Sequence, residues 1–199
     1  MKARSSAALF RRGFKTWCET IASEKRRALK IPLTAPLDPR LVAKDMRVAV
    51  RYIEQIPNLA PTTTQQLTVH DPDVWSALTV CHDGKYLVVL NSSHPKTREA
   101  NTLMHELSHL IIGHKPARLD ITSDGLMILS SYDKQHEEEA NWLAAALLLP
   151  REALLHARRR GITNEEAAAH YGCSTQLYTF RIQTTGVDLQ LRRAKKSTR

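Results

Sequence analysis

Long hydrophobic runs are missing from this sequence. The longest, Trp142 to Leu149, is far shorter than the roughly 20 residues a bilayer-spanning helix needs, and no apolar stretch near the start has the length of a secretory leader. The expectation is a cytoplasmic chain with no membrane partner. Cysteine is scarce as well. Cys18, Cys81 and Cys173 are odd in number, far apart and never in a CxxC spacing, so neither a disulfide framework nor a thiolate metal site is expected. Internal repeats and low-complexity tracts are also lacking.

What is present suffices for one catalytic-sized core with a small appendage: 199 residues, 42% hydrophobic and 25% charged. The net charge of +9 is unevenly spread. Residues 1–30 hold nine basic and two acidic groups, residues 151–199 ten and four, and the middle ten and fourteen. Basic ends around a mildly acidic centre suit contact with phosphate backbones or an acidic protein, and equally suit plain solvated tails.

Along the chain, Phe10, Phe14, Trp17 and Ile21 recur at helical spacing on a basic background, giving a basic N-terminal helical arm. The segment 31–39, with three prolines, reads as a linker that closes this first unit at residue 37. Asp38 as cap and Pro39 in the first turn open the next helix, and Val48 and Val50 then alternate. Val74 to Cys81 and Tyr86 to Leu90 flank Asp83-Gly84, which predicts a small antiparallel sheet built on a hairpin. The polar stretch 115–135 reads as a long loop or lid.

Between Asn91 and Gly113 the cap residues, Pro95 and a single apolar face of Leu103, Met104, Leu107, Leu110 and Ile111 predict one helix over 95–113. At about 100° per residue, His105 and His109 then lie together on the other side with Glu106 beside them. Two imidazoles one turn apart suit a shared divalent ion, and the displaced glutamate reaches a metal-bound water in preference to the metal. Such a site needs a third ligand and an open fourth position. In the helix that follows, Ala140, Leu143, Ala144, Leu147 and Leu148 define a buried face, which Glu137 borders, with Asn141 one turn later. Glu137 is the expected third ligand and Asn141 its helper. Glu138 and Glu139 read as a solvated acidic first turn.

His105-Glu-Leu-Ser-His109, Arg98 before it, Glu137-x-x-x-Asn141 after it, and Leu147-Leu-Leu-Pro150 together resemble the ImmA/IrrE family of metallo-endopeptidases over residues 38–187. Serine stands at Ser108 where glycine is frequent, and leucine precedes Pro150 where methionine is common. The resemblance implies an α+β, mostly helical zincin-like core (38–150). It implies one Zn2+ per chain on His105, His109 and Glu137, with Glu106 as the catalytic base. It also implies site-specific proteolysis of a regulatory protein such as a helix-turn-helix repressor.

Tyr132, His136 and His114 are near enough in sequence to steady an oxyanion, and nothing selects among them. Tyr86 to Leu90 offers a strand edge for an extended substrate. Arg98, two turns before His105, is placed to orient Glu137 or a substrate carboxylate, or to form a salt bridge. Residues 151–187 read as a helix-turn-helix-like subdomain with Arg181 as its one base-reading candidate, followed by a basic tail over 188–199 whose Arg192-Arg-Ala-Lys-Lys run reads as disordered. Two other functions therefore stand beside proteolysis: a DNA-associated regulator, or a toxin-like partner of a repressor, each with a non-catalytic metal site.

Overall fold

The computed structural model describes residues 10–114, 118–121, 127–130 and 133–197. The chain opens with α1 (Phe14–Ala28), α2 (Pro39–Asp45) and β1 (Ala49–Tyr52). After a 3-10 turn come α3 (Pro61–Gln65) and a π-helical turn, then β2 (Ala77–His82) and β3 (Lys85–Leu90). Next are α4 (Lys96–Ile112), β4 (Arg118–Ile121), β5 (Met127–Ser130) and α5 (Lys134–Leu148). Four helices close the chain: α6 (Arg151–Arg160), α7 (Asn164–Tyr171), α8 (Thr175–Thr185) and α9 (Val187–Ser197).

The hairpin forms as its turn chemistry predicts: Asp83 and Gly84 both take positive φ, 49° and 71°, between His82 and Lys85. The sheet, however, is mixed and not purely antiparallel. Its order is β1-β3-β2, with β1 parallel to β3 in the register Ala49 to Leu87 and Tyr52 to Leu90. This makes β3 the central strand, so Tyr86–Leu90 is not the exposed edge expected of it. Parallel pairing joins residues far apart in sequence, and nothing local to Val48 and Val50 encodes it.

α4 carries its apolar face into the core through Leu103, Met104 and Leu107, all essentially inaccessible to solvent. It packs against α5, whose residues from Trp142 to Leu148 are buried without a break. A helix buried all round has a poorly marked polar face. The basic N-terminal arm is a helix of the core from Phe14 onward, with Phe14, Cys18 and Ala22 buried and α1 against α5. Arg26 on the same helix is fully buried, and its guanidinium donates to the carbonyls of Leu147 and Leu148 at 3.1 and 3.2 Å, closing the end of α5. It also donates to Pro32 O and Ala35 O at 3.2 and 2.7 Å, which fixes the proline-rich linker onto the domain. One buried cluster runs from Phe14 to Val187 and draws residues from the described part of the N-terminal arm, from 38–150 and from 151–187.

Two further expectations change. The stretch 115–135 contains, among its described residues, an antiparallel pair of strands, β4 with β5, and the start of α5. Whether it covers the site, and where Tyr132 lies, fall outside the described residues. The basic tail is helical as α9 to Ser197, and Asp188 at its start pairs with Arg158 of α6 at 3.1 Å.

Candidate metal centre

α4 and α5 run in opposite directions, His105 meeting Asn141 and His114, just past the end of α4, meeting Glu139. Three side chains converge between them. His105 Nε2 and His109 Nε2 are 3.0 Å apart, and the carboxylate oxygens of Glu137 stand 3.2 Å from His105 Nε2 and 3.4 Å from His109 Nε2. Among the described residues these three form the group able to hold a metal ion, and Glu106 is not part of it. A tetrahedral zinc with bonds of about 2.0–2.1 Å would set its ligand atoms roughly 3.3 Å apart, close to the spacings found.

The protonation pattern points the same way. Asn141 Oδ1, which only accepts, lies 3.0 Å from His105 Nδ1, so that nitrogen carries the proton and Nε2 presents a lone pair. His109 Nδ1 lies 3.0 Å from His114 Nδ1, and His114 Nε2 lies 3.2 Å from Glu139 Oε2. A carboxylate accepts, so His114 donates through Nε2 and accepts at Nδ1, which leaves His109 donating from Nδ1 with its own Nε2 unprotonated. Burial, reinforced by the neighbouring His105, His114 and His136, pushes the His109 pKa down to about 3. Burial also lowers that of His114, outweighing its bond to Glu139. Two imidazole lone pairs and a carboxylate thus face one another in a partly buried site, a donor set that fits a cation.

Local sequence explains how His114 arrives there. Gly113, at φ 87°, ends α4 in a Schellman closure in which His114 N–H reaches His109 O at 2.9 Å and Gly113 N–H reaches Leu110 O at 3.2 Å. The turn folds the next ring back onto the last histidine of the motif. His136 then stacks on His114, ring centres 4.1 Å apart.

Glu106 is held from the sheet. Thr79 Oγ1, on β2, donates to Glu106 Oε2 at 2.5 Å. Sequence reasoning gave no sign of Thr79, because the pairing depends on where a strand lies against α4. It also misplaced Glu139, which is buried, accepts from Gln135 Nε2 at 3.0 Å and backs His114. Glu138 is half-buried. Arg98 pairs with Asp73 at 2.8 Å and donates to Ser76, so it forms the ordinary salt bridge and does not orient Glu137. Arg181, the one base-reading candidate, is fully buried, with Leu149 O at 3.0 Å and Glu19 at 2.5 Å.

A mostly helical α+β domain presenting such a cluster from an HExxH helix has the layout of a metallopeptidase. The chain matches the Peptidase_M78 family, the IrrE N-terminal-like domain, over residues 60–183, and belongs to that family. No curated protein matches the sequence.

Proposed function

We propose that this protein is a zinc-dependent endopeptidase in which His105, His109 and Glu137 hold the metal and Glu106 is the catalytic base. The observation that carries this reading is the convergence of two Nε2 lone pairs and one carboxylate within 3.4 Å, with the outer nitrogens already satisfied. Bound zinc would acidify a water and polarise the scissile carbonyl. Glu106 takes the proton of the attacking water and delivers it to the leaving amine. Thr79 fixes one oxygen of that carboxylate, and Asn141 and His114 fix the tautomers of the two imidazoles. Of the oxyanion candidates, His114 has both nitrogens engaged. The half-exposed His136, stacked on it, faces Asp133 through Nε2 at 3.6 Å and keeps Nδ1 as the nitrogen that could donate.

An extended substrate pairs along β2, which carries Thr79 and, among the described residues, has a strand on one side only. The substrate class, a regulatory protein such as a helix-turn-helix repressor, rests on the family resemblance. A DNA-associated regulator is disfavoured by the burial of Arg181. A toxin-like partner would share the fold and lack turnover.

Elemental analysis of the wild type, Glu106→Gln and His105→Ala, run beside hydrolysis of a mixed peptide library, tests the proposal. One zinc per chain in the first two, its loss in His105→Ala, and hydrolysis by the wild type alone are expected. A folded wild type that takes up no stoichiometric metal when zinc is supplied would overturn the reading, and a zinc-loaded wild type that cleaves nothing would favour the binding partner.

A further inference from the structure

Beside the metal centre, the groove between α4 and α5 opens into a cavity of about 440 Å³. Asn141 forms part of its wall while its Oδ1 holds His105 Nδ1 at 3.0 Å, so the cavity begins one side chain away from the ligand cluster. Asn101 and Arg98 extend it along α4, one and two turns before His105, and Ala145 extends it along α5. The far wall is α8, which contributes Gln176, Leu177 and Phe180. Phe180 is 40% exposed, an unusual position for so large an apolar side chain, and meets the Trp142 ring edge-on at 5.6 Å.

The geometry points to this cavity as a substrate pocket for a large apolar or aromatic side chain of the peptide being cleaved, with α8 as its specificity wall. This assignment rests on the metallopeptidase reading above. The lining has no carboxylate to attract a basic side chain, and its single cation, Arg98, is already neutralised by Asp73 at 2.8 Å. What it offers is the apolar surface of Phe180, Leu177 and Ala145, rimmed by side-chain amides suited to a peptide backbone. The volume lies in the range of roughly 300–1,000 Å³ typical of ligand pockets. One to two helical turns from His105 is about 5–11 Å, and an extended peptide covers about 3.3 Å per residue. The occupant is therefore a residue within about four positions of the scissile bond. The C-terminal helices, whose sequence resembles a helix-turn-helix, become part of the peptide site.

The test uses zinc-loaded full-length protein and alanine-based tetrapeptides with a hydroxamate at either end as a metal anchor. Phe, Glu or Ala occupies each position in turn. At one position the Phe probe should bind at least tenfold more tightly than the Ala probe, with no gain from Glu. The Phe-to-Ala ratio, read within each variant so that unfolded material cancels, should drop below threefold in Phe180→Ala and in Gln176→Trp, whose substitution lies at an exposed position and narrows the cavity. Binding without side-chain preference, preference for Glu, or a ratio that survives both substitutions would overturn the pocket alone. Failure of every hydroxamate probe to bind would remove the metal-centre reading and the pocket with it.

Discussion

Thr79 and Glu106 are 27 residues apart in sequence and 2.5 Å apart at their oxygens, the hydroxyl donating to the carboxylate. A hydrogen bond to a charged group contributes about 1.5–3 kcal/mol, so in the proposed mechanism a glutamate released from it loses orientation at the moment of proton transfer. Thr79→Val should lower kcat about tenfold on any peptide the wild type cleaves, with zinc content unchanged, and Thr79→Ser should restore it. Equal turnover in wild type and Thr79→Val would show that the threonine does not position the base.

His114 belongs to a chain of contacts from Glu139 to His109. Outer partners that orient metal-bound imidazoles typically change metal affinity by about 10–100-fold. His114→Ala should weaken zinc binding within that range when titrated against a competing chelator. An unchanged affinity would mean that burial alone sets the orientation of His109.

Arg181 ties α8 to Glu19 of α1 and to the carbonyl of Leu149 from a fully buried position. Removing one partner of a buried pair costs about 3–5 kcal/mol. Arg181→Ala should shift the urea midpoint by the equivalent of about 3 kcal/mol and leave retention on a nucleic-acid column unchanged. Loss of nucleic-acid retention without loss of stability would favour the alternative of a DNA-binding α8.

Burial holds Cys18 as a thiol, its pKa pushed up to about 12, and that of Cys173 to about 11, whereas Cys81 is exposed. A raised thiol pKa keeps the protonated, unreactive form through neutral and mildly alkaline pH. At pH 8 a thiol-specific disulfide reagent should modify one cysteine rapidly in the folded chain and three in denaturant. Rapid modification of a second thiol in the native protein would contradict the packing of α1 or of the α7 to α8 turn.

What the sequence disclosed follows from how local each signal is. His105 and His109 sit one turn apart on a helix with a clear apolar face, so their shared side could be worked out from spacing alone. Asp38 caps α2 as expected, and Thr163 and Ser174 cap α7 and α8 by the same chemistry, because a cap is a matter of two or three neighbouring residues. The phase of Glu137 on α5 points it to the histidines' side, and its carboxylate oxygens lie 3.2 and 3.4 Å from their Nε2 atoms. Glu139 did not, since α5 is buried on nearly every side and phase no longer separates wet from dry. Thr79, the parallel pairing of β1 and the seating of Arg181 depend on contacts across dozens of residues, which no local pattern carries.

Asn141 has a divided loyalty with a thermodynamic result. Its one amide holds the His105 ring and walls the adjoining cavity. If the proposed zinc and peptide both bind, whatever the occupant does to that amide is done to a ligand of the metal, and linkage makes the effect reciprocal: a peptide that tightens the ion is tightened by it in equal factor. On the proposed function such an arrangement weighs cofactor and cargo on a single balance, and a shortage of metal would be felt first as poorer grip on the correct peptide.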